Sequence, residues 1–456
     1  MIPELIQQQK DFFKTRQTLD VSYRKELLNT LLVELIKRED DITEALYKDF
    51  KKPEFESVLT ETAIVIQDLK HTIKKLKSWA KPKRVFPSLL NFPSSDYLYS
   101  EPYGTILVIA PWNYPYQLAI TPLVGAIAAG NTVVLKPSEL TPNTSALISK
   151  IVKLVFKPEH VTVVEGDVDV STKLLEQTWD YIFFTGSVTV GKIVAKAAAP
   201  NLTPITLELG GKNPCIIDDT ANITLTAKRI VWGKFVNAGQ TCIAPDYILI
   251  HQSKKEDFYK AMKTEIKEAY SSTPQQSKDF ARIINEKNFE RLAKMLENEN
   301  CIIGGQIDKE NLYISPTLID EPQLDSEVMK DEIFGPILPV ISYQNEADLD
   351  RVIDSYNKPL SLYVFGTNSA KAKQLMQKYS FGGGCINDTI IHFANHRLPF
   401  GGVGNSGIGA YHGQHTFNTF SHKKAVVKKG NWLDLPMRYA PYKGKLSFIR
   451  KVLKWL

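Results

Sequence analysis

The sequence is poor in cysteine. Its 456 residues contain four cysteines, Cys215, Cys242, Cys301 and Cys385, whose spacing fits neither a dense disulfide framework nor a metal site. A thiol stays free in a reducing compartment. No apolar run reaches the roughly 18 residues that a membrane span needs, and residues 1–20 lack the apolar core of a signal peptide. These absences favour a cytoplasmic protein without a bound metal.

Strong charge is also missing from most of the chain. The net charge is +6, yet residues 421–456 contain ten Lys/Arg and one Asp, a local charge of +9, which leaves −3 for the rest. A nearly neutral body gives no indication of nucleic-acid binding. With 43% hydrophobic and 23% charged residues the composition is globular, and the length predicts two or more domains.

The basic segment ends in an amphipathic pattern at 446–456. Apolar residues occupy one side of a predicted helix and basic residues the other: Leu446, Ile449, Leu453 and Leu456 with Phe448, Val452 and Trp455 beside them, against Lys445, Lys451 and Lys454. Such a helix can lie on an anionic membrane surface, although it is too short to span one. Packing against the body or a partner subunit is the alternative.

Helices are predicted first along the chain, and strands follow. Apolar residues recur at helical spacing in 22–50, with Ser22 as the expected N-cap, and 56–80 predicts a second long helix. From residue 104, short apolar strands such as GTILVIAPW, NTVVLKP and YIFFTG alternate with helix-like segments. That alternation predicts a parallel sheet covered on both faces, and a second series predicts another α/β unit up to about residue 402.

A cysteine in a turn is the first candidate for chemistry. Cys242 follows Gly239, Gln240 and Thr241 and precedes Pro245, and such neighbours are typical of a cleft-lining turn. Because most free cysteines only fill cores, packing and nucleophilic roles both stay open at this point.

Two polar residues after predicted strands could serve the same chemistry. Asn113, in APWNYPY, could donate from its amide to an oxyanion, and a turn-forming asparagine is the alternative. Glu208, in LELGGKNP, has apolar and glycine neighbours that would raise its pKa and suit it to general-base work. An exposed glutamate beside Lys212 is the alternative.

Two stretches have the character of a nucleotide site. In FFTGSVTVGK a strand meets Gly186 and Ser187, and Gly191 opens an Ala-rich helix, so backbone N–H groups could face a pyrophosphate. The spacing differs from G-x-G-x-x-G, and a plain tight turn is the alternative. In VVLKPSE, Lys136 and Glu139 follow a strand and could hold ribose or phosphate; a solvated loop is the alternative.

Taken in order, PWNYP, KPSE, FTGS, LELGGK, GQTC, EIFGP and LPFGGVGNSGIGAYHG resemble the aldehyde dehydrogenase superfamily over about residues 20–445. The last two, with CIAPDY and the short N-terminal portion, are most similar to class 3, the dimeric branch for fatty and aromatic aldehydes. The resemblance implies an α/β fold with a Rossmann-like NAD(P)-binding domain, an α/β catalytic domain and a small oligomerisation arm. The implied boundaries are 1–80, 104–208 and 403–420 for the first domain, 209–402 for the second, 81–103 and 421–445 for the arm, and 446–456 for the tail.

The resemblance also implies the site residues. Cys242 would be the nucleophile, Glu208 the base that activates water, and Asn113 a donor to the oxyanion together with the Cys242 N–H. The implied cofactor contacts are Lys136, Glu139, Thr185, Gly186, Ser187, Gly191, Glu332 and Phe334. In class 3 the residue matching Glu332 has also been considered as a base, so its division of labour with Glu208 is a hypothesis.

The implied activity is NAD(P)-dependent oxidation of an apolar aldehyde, medium- or long-chain aliphatic or aromatic, to its carboxylic acid through a thiohemiacetal and a thioester. Glu139 would repel a 2′-phosphate, so NAD is expected, with NADP accepted, and a homodimer is expected. Tyr114, Tyr116, Phe393 and Phe400 are expected near an apolar tunnel, with core filling as the alternative. His392 and His412 are expected to make structural hydrogen bonds.

Three rival functions stay open. A CoA-acylating semialdehyde dehydrogenase would use the same thiol, but Glu208 favours water as the acceptor of the acyl group. A non-catalytic binding protein on this scaffold is disfavoured because the candidate residues are all present. A thiol hydrolase is disfavoured because no Cys–His pair is evident in the sequence.

Overall fold

The computed structural model describes residues 2–88, 91–434 and 436–454. The helices are α1 Ile2–Lys14, α2 Val21–Lys37, α3 Glu39–Phe50, α4 Glu54–Ser57, α5 Ala63–Ala80, α6 Gln117–Ala129, α7 Pro142–Val155, α8 Val168–Leu175, α9 Val188–Ala198, α10 Ile223–Phe235, α11 Lys255–Tyr270, α12 Glu286–Lys294, α13 Glu327–Lys330, α14 Glu346–Ile353, α15 Ser369–Lys378, α16 Gln414–Thr419 and α17 Leu446–Leu453.

The strands form three main sheets and one short pair. They are β1 Lys83–Val85, β2 Ser94–Pro102, β3 Thr105–Ile109, β4 Thr132–Lys136, β5 Val161–Val163, β6 Tyr181–Thr185, β7 Ile205–Glu208, β8 Pro214–Ile217, β9 Tyr247–His251, β10 Cys301–Ile303, β11 Ile307–Asp308, β12 Tyr313–Ile314, β13 Thr317–Asp320, β14 Ile337–Tyr343, β15 Ser361–Phe365, β16 Gly383–Ile386, β17 Gly407–Ile408 and β18 Ser421–Lys429.

The first sheet has the strand order β17-β7-β6-β3-β4-β5 and is parallel except for β17. Its strands bury side chains on both faces, because successive residues of a strand point to opposite sides. In β3, Ile106 and Val108 join one hydrophobic cluster and Leu107 joins another. The predicted covering of a parallel sheet on both faces therefore follows from its continuously apolar strands.

The second sheet has the order β10-β13-β14-β9-β8-β15-β16 and is parallel except for β10. A third, antiparallel sheet joins β1, β2 and β18, and β2 pairs with β18 along its whole length from Ser94 to Pro102. The second sheet lies in the second α/β series that the sequence patterns indicate, whereas the strands of the third sheet were not predicted from those patterns. The division of the chain into domains stays a prediction.

The N-terminal helices differ from the prediction in three respects. The expected helix over 22–50 is divided into α2 and α3 at Arg38, and the N-cap of α2 is Asp20, whose carboxylate accepts from the N–H of Ser22. The expectation that Ser22 caps this helix was therefore wrong. The helix predicted over 56–80 contains a π-helical turn, Val58–Thr62, between α4 and α5.

The C-terminal tail forms α17, which has exposed apolar side chains. Leu446, Phe448 and Leu453 are 60%, 55% and 54% exposed, so the helix does not bury its apolar side against its own chain. Trp455 and Leu456, which the predicted apolar side included, lie outside the described residues. None of the helices in the described ranges is long and apolar enough to cross a membrane.

Candidate active site

The carboxyl edge of the first sheet gathers several of the sequence-predicted residues. The last residue of β4 is Lys136, which pairs with the last residue of β3, and Thr185 and Glu208 end the paired strands β6 and β7. Asn113 follows β3 at the same edge. Ligands of open α/β sheets bind at this edge because the loops that follow the strands diverge there.

Cys242 comes from a turn before β9 in the second sheet. A run of three residues shortly before it has left-handed backbone: Asn237 at φ 57°, Ala238 at φ 51° and Gly239 at φ 74°. A Cβ on Gly239 would lie 2.3 Å from the carbonyl oxygen of Gly335, so the close approach requires glycine. The buried, strained turn fixes where the thiol lies.

An apolar cavity of about 370 Å³ connects the thiol with the carboxyl edge of the first sheet. Cys242 and Glu208 both line it, together with Thr185 and Thr241. Apolar side chains form most of the remaining wall: Leu59, Ala63, Ile64, Tyr114, Leu118, Leu209, Trp232, Ile243, Ile390, Ile391, Phe393, Phe400 and Tyr411. A cavity of this size and lining suits a small apolar ligand.

Burial dominates the titration of the groups around the cavity. Burial raises the pKa of the Cys242 thiol well above its usual range, and the negative charges of Glu332 and Glu208 raise it further. Burial also raises the pKa of Glu208 far above that of an exposed glutamate, and neither of its carboxyl oxygens has a hydrogen-bond partner. The resting thiol is therefore neutral and needs a base for ionisation.

Asn113 lies against the cysteine turn. Its Nδ2 donates to the carbonyl oxygen of Gln240 over 3.1 Å, and the Tyr114 hydroxyl lies 2.7 Å from the Thr241 hydroxyl. Asn237 Nδ2 in turn donates to the carbonyl oxygen of Asn113 over 2.8 Å. The amide of Asn113 is thus held against Gln240, which precedes Cys242 by two residues.

The start of α9 has the features of an anion site. Ser187 caps the helix by accepting from the N–H of Val190 over 3.3 Å, and Thr185 carries a buried hydroxyl without a hydrogen-bond partner. A Cβ on Gly191 would lie 2.7 Å from Leu209, so this glycine allows α9 to pack closely beside β7. The free N–H groups of the helix fit a cofactor pyrophosphate.

Lys136 and Glu139 form an ion pair at the same edge. Lys136 is 2% exposed, and its Nζ lies 3.2 Å from the Glu139 carboxylate, which is 40% exposed. A buried ammonium beside an accessible carboxylate can serve both hydroxyl and phosphate groups of a nucleotide.

Glu332 and Phe334 approach from the second sheet. The Glu332 carboxyl contacts Gly210, where a Cβ would lie 2.2 Å from an Oε atom, and its Oε1 has no hydrogen-bond partner. Burial, followed by the charge of Asp246, raises its pKa to about 8. Phe334 has a positive φ of 51° and packs edge-on against Trp112 with ring centres 5.2 Å apart.

The cavity wall agrees with only part of the expected aromatic set. Tyr114, Phe393 and Phe400 line it, whereas Tyr116 is buried at the start of α6 and is not a lining residue. His412 stacks on Phe400 at 5.2 Å. Trp232, which also lines the cavity, was not singled out in the sequence because a lone helical tryptophan has no distinguishing motif.

One pair of side chains was not visible in the sequence. His392 Nδ1 lies 3.5 Å from the Cys385 sulfur, and its Nε2 lies 3.5 Å from the Ser361 hydroxyl. Burial raises the pKa of Cys385 to about 11 and lowers that of His392 to about 4. Both groups are therefore neutral at pH 7, and the pair lacks the thiolate–imidazolium character of a thiol hydrolase.

The edge of a parallel sheet thus presents a buried carboxyl group and the start of a helix, and a thiol from the segment before a strand of the second sheet lines the same cavity as that carboxyl group. The chain belongs to the aldehyde dehydrogenase family, whose profile matches residues 2–426. It is an oxidoreductase that oxidises aldehydes, and the predicted family and fold are confirmed.

The relatives include members of family 3. The chain is 47% identical over 447 residues to the 4,4'-diaponeurosporen-aldehyde dehydrogenase of Staphylococcus aureus, covering 98% of this chain and 97% of that protein. It is 39% identical to the dimeric NADP-preferring aldehyde dehydrogenase of Canis lupus familiaris, covering 98% and 99%. The substrate-bound structure of Staphylococcus aureus AldH matches with a TM-score of 0.97 at 46% identity, covering 99% of each chain.

Proposed function

We propose that the chain oxidises apolar aldehydes, medium- or long-chain aliphatic or aromatic, to carboxylic acids through covalent attachment to Cys242. The observation that carries this proposal is the apolar cavity that contains both the Cys242 thiol and the Glu208 carboxyl group. An apolar wall favours an uncharged chain or ring over a polar substrate because burial removes apolar surface from water.

The first step is attack of the Cys242 sulfur on the aldehyde carbon, which gives a thiohemiacetal oxyanion. The Asn113 amide and the Cys242 N–H are the proposed donors to that oxygen. Loss of one such donor costs about 2.7–4 kcal/mol of transition-state stabilisation in comparable sites. Bound NAD or NADP supplies the hydride acceptor that makes the overall reaction an oxidation.

The thioester is what remains when the thiohemiacetal carbon has lost its hydride, and the next step is hydrolysis of this thioester. Glu208 is the proposed base that removes a proton from water, because its unpartnered carboxyl oxygens line the same cavity as Cys242. Glu332 is a proposed contact to the nicotinamide ribose, and its buried carboxyl group, whose raised pKa lies close to neutral pH, is also the candidate base for the thiol. Release of the acid then restores the free thiol.

The cofactor site is proposed at the carboxyl edge of the first sheet. Ser187, Gly186 and Gly191 form the phosphate end, and Lys136 with Glu139 forms the ribose end. The Glu139 carboxylate disfavours a 2′-phosphate, while the adjacent Lys136 offsets part of that repulsion. We expect NAD to be preferred and NADP to be accepted.

The chemistry is tested by trapping. Mass spectrometry of the enzyme during turnover should locate the acyl group on Cys242, and Cys242→Ser should form neither adduct nor NADH. Turnover without that thiol, or an adduct on another side chain, would contradict the proposal. A requirement for CoA would instead support the acylating alternative.

The division between the two carboxyl groups has its own test. Glu208→Gln should accumulate the thioester, because water then lacks a base, whereas Glu332→Gln should slow thioester formation and leave its hydrolysis unchanged. Normal hydrolysis in Glu208→Gln would remove Glu208 from that role. Aldehydes of graded chain length, assayed with NAD and NADP, would define the substrate and cofactor preferences.

A cytoplasmic homodimer is the proposed assembly. The third sheet, which contains β1, β2 and β18, and the apolar side of α17 offer exposed surfaces suited to a partner subunit. The basic residues of α17 also suit an anionic membrane surface.

A further inference from the structure

A buried ion pair lies beneath the cavity, outside the proposed chemistry. Lys52 Nζ is 2.6 Å from Glu61 Oε1, and both side chains are fully buried. Glu61 belongs to the π-helical turn Val58–Thr62. Single π-turns inside α-helices occur frequently at functional sites, and here the turn aims a charged side chain into the interior.

The second oxygen of Glu61 anchors the loop that carries Asn113. Glu61 Oε2 accepts from the N–H groups of Tyr116 and Gln117 over 2.9 and 3.1 Å. These donors lie at the start of α6, where backbone N–H groups lack intrahelical partners. A carboxylate at that position is favoured by the helix dipole as well.

The partner of Glu61 contacts the same loop from its other side. Lys52 Nζ lies 4.0 Å from the centre of the Tyr114 ring, and the hydroxyl of that ring lies 2.7 Å from Thr241. The ammonium thus fixes a side chain that bridges the Asn113 loop and the residue before the thiol.

A second carboxyl group of the same helical stretch anchors the cysteine turn. Glu56 Oε2 accepts from the N–H of Asn237 over 2.9 Å, and Asn237 Nδ2 donates to the carbonyl oxygens of Asn113 and Gln240. Glu56 therefore supports the left-handed backbone that leads into Cys242.

We infer that Lys52, Glu56 and Glu61, the anchoring network, are positioning residues that hold the Asn113 amide and the Cys242 sulfur at a fixed separation. The same helical stretch contacts both segments: Glu61 binds the segment that follows Asn113, and Glu56 binds the turn that precedes Cys242. None of the three takes part in bond formation. The inference rests on the proposed roles of Asn113 and Cys242 in thiohemiacetal formation.

The test measures the rate of hydride transfer in single turnovers. Enzyme in excess is mixed with NAD and an apolar aldehyde, and the rate constant of NADH formation is recorded. This rate constant does not depend on the fraction of folded enzyme when the competent sites exceed both the aldehyde and the dissociation constant of its complex. Thermal unfolding is recorded in parallel, and KM for NAD is measured in the steady state.

The charge pair is tested by a single and a double substitution. Lys52→Met leaves a buried, unpaired carboxylate, so the Asn113 loop should shift and the rate constant should fall by roughly 10- to 100-fold. Lys52→Met combined with Glu61→Gln removes both charges but keeps an amide oxygen for the N–H groups of Tyr116 and Gln117. This double variant should recover most of the rate.

Glu56 is tested by a matched pair of variants, which remains informative even if Lys52→Met fails to fold. Glu56→Gln keeps the acceptor for the N–H of Asn237 and should transfer hydride normally, whereas Glu56→Leu lacks it and should be slowed. KM for NAD should stay unchanged in both. Because Glu56 is partly exposed, these two variants keep the inference testable even when Lys52→Met does not fold.

The outcomes separate the inference from the proposed function. Variants that lose thermal stability but keep the wild-type rate constant would overturn the anchoring role and leave a structural one. A wild-type enzyme that oxidises aldehyde without acylating Cys242 would overturn the proposed mechanism, and the inference with it. Slow hydride transfer in Glu56→Leu with rescue in Glu56→Gln supports it.

Discussion

Glu332 has a carboxyl group whose protonation changes near neutral pH. Its Oε1 is buried without a partner, and burial together with the charge of Asp246 holds its pKa at about 8. Below that pH the group is neutral and cannot accept a proton, and above it the group is ionised. A base for a buried thiol works best when its pKa is close to the working pH.

The pH dependence of thioester formation follows from the ionisation of Glu332 with rising pH. We expect the single-turnover rate to rise between pH 6 and 9 as Glu332 ionises, and Glu332→Gln to lower the rate and flatten the rise. Asp331→Asn, at the exposed neighbouring position, is the control and should keep the wild-type profile. An unchanged rise in Glu332→Gln would assign the ionisation to another group.

Asp68 should lower the stability of the folded protein above about pH 6. Burial raises its pKa from 3.8 to about 6, so the native state holds the proton more tightly than the unfolded state. Stability from this group is present at low pH and is lost as pH rises through 6. Asp68→Asn should gain up to about 3 kcal/mol at pH 8 and nothing at pH 4. Unfolding transitions at both pH values, with exposed Asp354→Asn as control, would measure this gain.

At the scale of elements, the sequence predicts the positions of the strands better than the buried contacts between side chains. The apolar runs of β3, β4 and β6 are bounded by glycine or proline, so both their position and the chemistry at their ends could be read from the sequence. The π-turn that contains Glu61 could not, because its residues fit an ordinary helical pattern. Nothing in the sequence distinguishes the buried Lys52 from the exposed lysines around it, since burial depends on tertiary packing.

The short strand β17 contains a glycine, Gly407, whose position leaves no room for a side chain. Gly407 pairs with Glu208, has φ 156°, and a Cβ there would lie 2.4 Å from the carbonyl oxygen of Leu207. Gly407→Ala should therefore displace the strand that carries Glu208, lower the melting temperature and slow thioester hydrolysis. Gly404→Ala, with φ 65° and a nearest neighbour at 3.9 Å, is the comparison.

The two variants separate crowding from backbone strain. Gly404→Ala should cost about 1–2 kcal/mol from left-handed backbone alone, and Gly407→Ala should cost more. Equal losses in melting temperature and hydrolysis would mean that the contact with Leu207 is unimportant.

At the scale of the whole molecule, positive charge and exposed apolar surface coincide at the C-terminal end. We expect full-length protein to float with anionic vesicles more than a chain that ends at Lys445, and the double variant Leu446→Glu/Leu453→Glu to behave like the shorter chain. Equal flotation of the two forms would exclude membrane contact through α17. The mass of each form in solution would then show whether α17 packs on a partner subunit.

The proposed reacting groups are divided between two sheets: Asn113 follows β3 and Glu208 ends β7 in the first, while Cys242 precedes β9 in the second. The proposed reaction therefore requires the two sheets to keep their relative position. Mild denaturant that loosens the contact between the two sheets should abolish aldehyde oxidation, while circular dichroism still reports intact helices and strands. Loss of turnover would then be an early warning of unfolding.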